Sequence, residues 1–410
     1  MSGLAVCTLV LAIVLHDETP LRLAPRSDVR PHAMLMQGET LEVRGERLEY
    51  LQVWDHRRER GGFVRASQVR RLAMKPEEAP EILSVLRFLR NMQGSEALGI
   101  GFAAAYIEAA TPEALGGDTS VEVLDALGTM AERLARRPSR HLDVAARYGV
   151  RFTSVERNGR MRICYDGAAF RSLLAMNPAP EPRARAVLAL TDPACGEPDA
   201  ELVDKLDELG LPPLLRNRVY MRRAALWAAQ AFERARKGLD SRTAAEKAIT
   251  ALAAVEKDEL GEADRAAYEE VAVRVGASRP ALFADQDKSE GLRIETMPGD
   301  PGQTCVLLRD ARDRPIARRC TYGVVWSASA IARRDGGALA FAVQQTDTWR
   351  ELWVFRKTKK GWNVRIVPPA VMRPGIGYAE FSGWTAGGLR VVRGAIVDGR
   401  LVRTTGAIGL

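Results

Sequence analysis

Apolar and polar residues alternate at period two across Thr40–Val43 and again across Tyr50–Trp54, the spacing of a strand with one buried face. Gly38 and Gly45 separate these runs, and glycine adopts positive φ at little steric cost, so the segment reads as strand, turn, strand. The run Gly62–Val69 closes a small β-barrel spanning Thr8–Leu72. From Pro80 the period changes: Ile82, Leu83, Val85, Leu86 and Leu89 follow the spacing of an amphipathic helix. Ala97–Ala110 predicts a strongly apolar helix, Thr111-Pro112-Glu113 a stop and restart, and Asp118–Leu134 another helix. A hairpin over 150–165 then alternates on either side of Asn158-Gly159, a dipeptide suited to a type I′ turn. Helices are predicted at Ala168–Met176, Pro182–Leu190, Glu201–Leu209, Leu214–Lys237, Ser241–Lys257 and Glu262–Val275. After Gly291 come short strands at Leu292–Thr296, Thr304–Leu308, Ile316–Thr321, Val324–Ala328, Leu339–Gln344, Leu352–Arg356, Trp362–Ile366 and Leu389–Val397. The expected architecture is multidomain α+β: a barrel over 1–74, a helical domain over 75–285 carrying the hairpin, and an antiparallel β domain over 286–410.

Three segments carry a resemblance. Leu21-Arg22-Leu23-Ala24-Pro25, Gln37-Gly38-Glu39-Thr40-Leu41-Glu42-Val43 and Gly62-Phe63-Val64 resemble the opening strand, second strand and closing Gly-Trp-Val signature of bacterial SH3-like domains, with Phe63 where the family carries Trp. The resemblance covers less than a fifth of the chain. It implies an SH3-like β-barrel that binds wall peptides or other proteins in a cell envelope. Tyr50, Trp54 and Phe63 are then the candidate aromatic wall of a groove, with His56, Arg57 and Arg58 on its rim. The alternative is that Trp54 and Phe63 are barrel core. Farther along, Val325-Trp326-Ser327 and Gly383–Leu389 resemble blade motifs of TolB-like propellers. The strands are too few for a closed propeller, so a sandwich or partial sheet is expected, with Trp326, Trp349, Trp353, Trp362 and Trp384 as its core; the alternative is that some of them line a ligand groove.

Length and composition bound this picture. A chain of 410 residues exceeds what one core organises, and 46% hydrophobic with 27% charged residues is a globular balance. The net charge is +8, yet nine lysines against fifty-one arginines point to codon composition before a binding surface. Arg216, Arg218, Arg222 and Arg223 read as a solvated helix face, so nucleic acid is not the expected partner. No apolar run is long enough to cross a bilayer. Leu4–Leu15 has the length of a signal-peptide core, but no positive charge precedes it and no Ala-x-Ala follows, so it reads as a first strand. Leu4-Ala5-Val6-Cys7 has too few residues before the cysteine for a lipoprotein signal.

The cysteines are Cys7, Cys164, Cys195, Cys305 and Cys320, and His16, His32, His56 and His141 stand singly, so no spacing points to zinc or another metal. Cys305 and Cys320 fall on adjacent predicted strands, and Cys164 and Cys195 flank a helical stretch. Two disulfides are expected, which places the chain in an oxidising compartment such as a periplasm; the alternative is free thiols in a cytoplasm. No catalytic residue is nominated. Gly-x-Ser-x-Gly and His-Glu-x-x-His are absent, Cys164 and Cys195 have no evident histidine partner, and Glu77-Glu78 and Glu269-Glu270 read as helix surface. Gly99 and Gly101 lack the strand and Lys-Ser/Thr of a phosphate loop and read as close helix packing. The expectation is a non-enzymatic scaffold without cofactors that docks a protein or cell-wall peptide. Its rivals are a wall hydrolase with a site between the helical and C-terminal domains, and a nucleic-acid binder.

Overall fold

The structure, a computed structural model, describes residues 10–137, 139–157, 160–196, 198–283, 291–370, 375–397 and 400–410. The chain divides into two compact units, one ending at Pro198 and the other beginning at Asp199. That boundary falls inside the span 75–285 that the sequence pattern groups as one helical domain. An amphipathic helix shows in sequence that it buries a face, but not against which partner.

In the first unit β1 (Leu11–Val14), β2 (Thr19–Arg22), β3 (Pro31–Leu35), β4 (Thr40–Arg47), β5 (Tyr50–Asp55), β6 (Arg60–Arg65) and β7 (Val69–Leu72) form one antiparallel sheet ordered β3-β2-β6-β5-β4-β1-β7. Laid flat, its edges would stand about 29 Å apart at the usual strand spacing. Yet Ala12, Val14, Leu21, Leu35, Leu41, Leu51, Val53, Val64 and Val69, from all seven strands, share one core, so the sheet curls around it. The turn assigned to Gly45 lies elsewhere: Gly45 sits inside β4 at a bulge opposite Gln52, and the chain reverses at Leu48, φ +58°. Leu4–Leu9 and Cys7 lie outside the described residues.

β1 has two buried faces. Ala12 and Val14 point into the sheet's core, while Ile13 joins Leu72 against α1 (Ala79–Arg90), α2 (Glu96–Ala109) and α3 (Asp118–Arg136). Close approach explains the glycines here. Gly38, at φ +84°, lies where a Cβ would come within 2.6 Å of the Ala97 carbonyl oxygen. Gly99 faces Met130 of α3, and Gly101 faces Tyr148 and Gly38, the helix packing expected of this pair. The unit continues through α4 (His141–Ala146), the antiparallel pair β8 (Phe152–Arg157) and β9 (Arg160–Tyr165), α5 (Ala168–Ala175) and α6 (Pro180–Leu190). The expected turn Asn158-Gly159 lies outside the described residues. A disulfide joins Cys164 of β9 to Cys195 beyond α6.

The second unit begins with α7 (Ala200–Asp204), shorter than the helix predicted to Leu209: the carbonyls of Val203, Asp204 and Leu206 accept from the Arg223 guanidinium, and Asp207 Oδ1 accepts the Leu209 N–H in the turn that follows. α8 (Pro213–Arg236), α9 (Arg242–Ala253) and α10 (Glu262–Ser278) pack through Ala224, Ala228, Ala231, Ala244, Ala245 and Ala248 around Trp227 and Val275. Next, β10 (Arg293–Pro298), β11 (Thr304–Arg309) and β12 (Pro315–Thr321) make a three-stranded sheet in which Cys305 and Cys320 are directly opposite and bonded. The remaining strands are β13 (Val324–Ala332), β14 (Ala338–Thr346), β15 (Trp349–Thr358), β16 (Gly361–Val367), β17 (Gly377–Thr385), β18 (Gly388–Val397) and β19 (Arg400–Gly409). They form a second curled sheet, β13-β14-β15-β17-β18-β19, with β16 on β15.

β14 and β15 are buried on both faces. Leu339, Phe341, Val343, Trp353 and Phe355 meet the three-stranded sheet, while Ala338, Ala340, Leu352 and Val354 line the interior shared with β16–β19. Trp326, Trp349 and Trp353 are core, and the buried Glu351 carboxylate accepts N–H bonds from Trp349 Nε1, Trp353 Nε1 and Gln345 Nε2 at 2.9–3.3 Å. Trp362 and Trp384 are half-buried.

Candidate functional site: the outer face of the first sheet

Strand alternation sorts the candidate residues. On β5 Leu51 and Val53 point into the core, so Tyr50, Gln52 and Trp54 point away from it. On β6 Gly62 and Val64 lie opposite Val53 and Leu51, which leaves Gly61, Phe63 and Arg65 on the same outer face. Phe63 stands across from Gln52, and Trp54 is the next outward residue beyond Gln52, so the two rings flank one exposed glutamine. Neither ring belongs to the sheet's core.

Trp54 is held, not loose. It pairs with Gly61 across the strands, and a Cβ on Gly61 would meet the ring at 3.2 Å, so the indole lies over bare backbone. The Arg44 guanidinium sits 4.5 Å from the ring centroid, a cation–π contact. Arg44 also donates to both Glu42 oxygens at 3.1 and 3.2 Å, and Oε2 of the pair is 2.7 Å from His56 Nε2. The Arg44 hydrogen bond, then that of His56, hold the Glu42 carboxyl below the usual range. Tyr50 shares the face but is covered: it is 2% exposed, and its hydroxyl accepts from Arg65 Nε at 3.2 Å.

Two of the proposed rim residues belong elsewhere. Arg58 donates through Nη1 and Nη2 to both oxygens of the fully buried Glu39 at 2.8 and 3.1 Å, and through Nη1 to Asp55 at 2.6 Å. The Glu39 hydrogen bond raises the Arg58 pKa against the opposing effect of burial. Arg147, at the end of α4, adds a third contact to Glu39 at 2.9 Å. Arg57 lies 3.7 Å from Glu39 and 3.9 Å from Asp143. Arg58 thus ties the β5–β6 connection to the turn before β4, with Arg57 beside it and its side chain 46% exposed, while His56 remains on the exposed face. Beside this network the Tyr148 hydroxyl donates to the Gly38 carbonyl at 2.5 Å, and burial raises its pKa.

The sequence pattern missed Arg44, Gln52 and Arg65, which complete the face. The signal was there in the alternation, but the bulge at Gly45 breaks the count along β4.

Among the described residues no group of three or more His, Cys, Asp or Glu side chains is arranged to hold a metal ion. No helix among the described residues is long and apolar enough to cross a membrane. A separate cavity of about 340 Å³ is lined by α3, β9, α5 and the Cys164–Cys195 disulfide. Two of its arginines are engaged internally, Arg136 by Glu132 and Arg171 by the Asp166 carbonyl. Searches of protein families, curated proteins and solved structures found no match to this chain.

Proposed function

We propose that this chain is a non-enzymatic binding protein of a bacterial cell envelope whose N-terminal sheet is an SH3-like domain docking a cell-wall peptide on the face carrying Trp54 and Phe63. The observation that carries the reading is that both rings point away from the core, across an exposed glutamine, with Trp54 fixed over Gly61 by Arg44. A pre-oriented aromatic offers contact area without an ordering cost on binding. The two disulfides support an oxidising compartment, and the periplasm is the one proposed.

The test is retention of the full chain on purified cell-wall fragments. Trp54→Ala is expected to weaken retention at least ~10-fold, as truncation of a central aromatic anchor does. Phe88→Ala, at an exposed position on α1, should leave it unchanged. Equal retention of the wild type and Trp54→Ala overturns the reading.

A further inference from the structure

β19 ends the order of the second unit's large sheet, and its ten residues pair with β18 from Val397↔Arg400 to Gly388↔Gly409 without a bulge. Groups on successive residues of such a strand point alternately toward and away from the neighbour. Leu410 donates its N–H inward to Gly387, whereas the Leu401 N–H is accepted by Glu269 Oε2 at 3.2 Å and the Gly409 carbonyl accepts from Arg365 Nη1. The odd-numbered residues therefore face outward. Side chains cover the two ends of that edge, but the N–H and C=O groups of Arg403, Thr405 and Ala407 have no partner among the described residues. Val402–Ala407 are also exposed on both faces of the strand. Among the described residues this stretch carries no proline, bulge or covering segment, and of the devices that usually blunt an edge it has only the charge of Arg403.

We infer that this edge is an interface between two copies of the chain, in which β19 pairs antiparallel with β19 of a second copy about a two-fold axis through Thr405. Three observations select that occupant and that register. Placing Thr405 opposite itself sets Arg403 against Ala407 in both directions, so all three free residues exchange bonds, about six in total. The same register sets Leu401 opposite Gly409 of the second copy. Glu269, which covers Leu401, then meets Arg365 of the second copy, which covers Gly409, and the contact is repeated by symmetry. Centring on residue 403 instead would oppose two arginines, and like charges directly across are destabilising.

Sedimentation of the full chain over a concentration series tests this. The wild type should show a reversible monomer–dimer equilibrium. Thr405→Pro removes an outward N–H without touching the β18 ladder, as edge prolines do, and should weaken dimerisation at least ~10-fold. Glu269→Arg should weaken it by a similar factor, and the exchange Glu269→Arg with Arg365→Glu should restore it. Circular dichroism checks that each variant is folded; if Thr405→Pro is not, the charge exchange decides alone. A wild type monomeric throughout, a folded Thr405→Pro that dimerises like wild type, or a charge exchange no better than Glu269→Arg would overturn the inference.

Discussion

Glu39→Ala is expected to destabilise the first unit by about 3–5 kcal/mol, the cost of removing one partner from a buried ion pair. Glu39 is fully buried and accepts from Arg58 and Arg147. Without it, Arg58 keeps only Asp55, and Arg147 at the end of α4, its side chain 23% exposed, loses its carboxylate. The network links three segments distant in sequence: the turn at Gly38, the β5–β6 connection and the end of α4. Hydrogen exchange followed by mass spectrometry localises the effect. Amides of β4 and β5 should lose protection by that amount, while β14 and β15 in the second unit remain unchanged. Glu39→Gln, which keeps the volume and one acceptor, should cost less. Unaltered protection in Glu39→Ala would show that the charge cluster contributes nothing to the fold.

Reducing the disulfides is the second large effect. On the loop-entropy model, bridges closing 31 and 15 residues stabilise by about 4 and 3 kcal/mol respectively. They lie in different units, so each should act on its own unit. Cys164→Ala with Cys195→Ala should lower the denaturant midpoint of the first unit alone, and Cys305→Ala with Cys320→Ala that of the second. The second bridge spans directly opposed residues of β11 and β12, with Arg318 Nη2 donating to Cys305 Sγ at 3.1 Å, so its loss also removes that contact. Identical melting with and without reductant would contradict both assignments.

Periodicity carried most of the secondary structure. The long helices and most strands of the second unit fall within a few residues of their predicted bounds. The elements that escaped lack one continuous buried face. β19 is exposed on both sides through its middle, and β3 carries His32 and Met34 where alternation would call for a clear contrast. β17 contains Gly377 and Gly383, and its pairing with β18 shifts register between Phe381 and Gly383. α7 ends early where Arg223 of α8, some twenty residues later, takes the carbonyls of Val203, Asp204 and Leu206.

The candidate site was legible only in part. The outward direction of Trp54 and Phe63 follows from the pleat, and His56 lies exposed beside them. Tyr50 is outward yet covered by Arg65, a contact between strands that no single run of residues encodes. Arg57 and Arg58 look like a free basic rim in sequence, but Glu39, some twenty residues earlier, captures them once the sheet curls. Burial of a charge pair depends on tertiary approach, and composition carries no trace of it.

The most direct measurement of the central claim is photo-cross-linking from position 52, the exposed site between Trp54 and Phe63. A full chain carrying a photoreactive phenylalanine analogue in place of Gln52 should form adducts with purified cell-wall peptide, and the yield should collapse when Trp54→Ala is added. The same analogue at Phe88 should give none. Adducts in equal yield at both positions, or none at position 52, would contradict a binding role for this face.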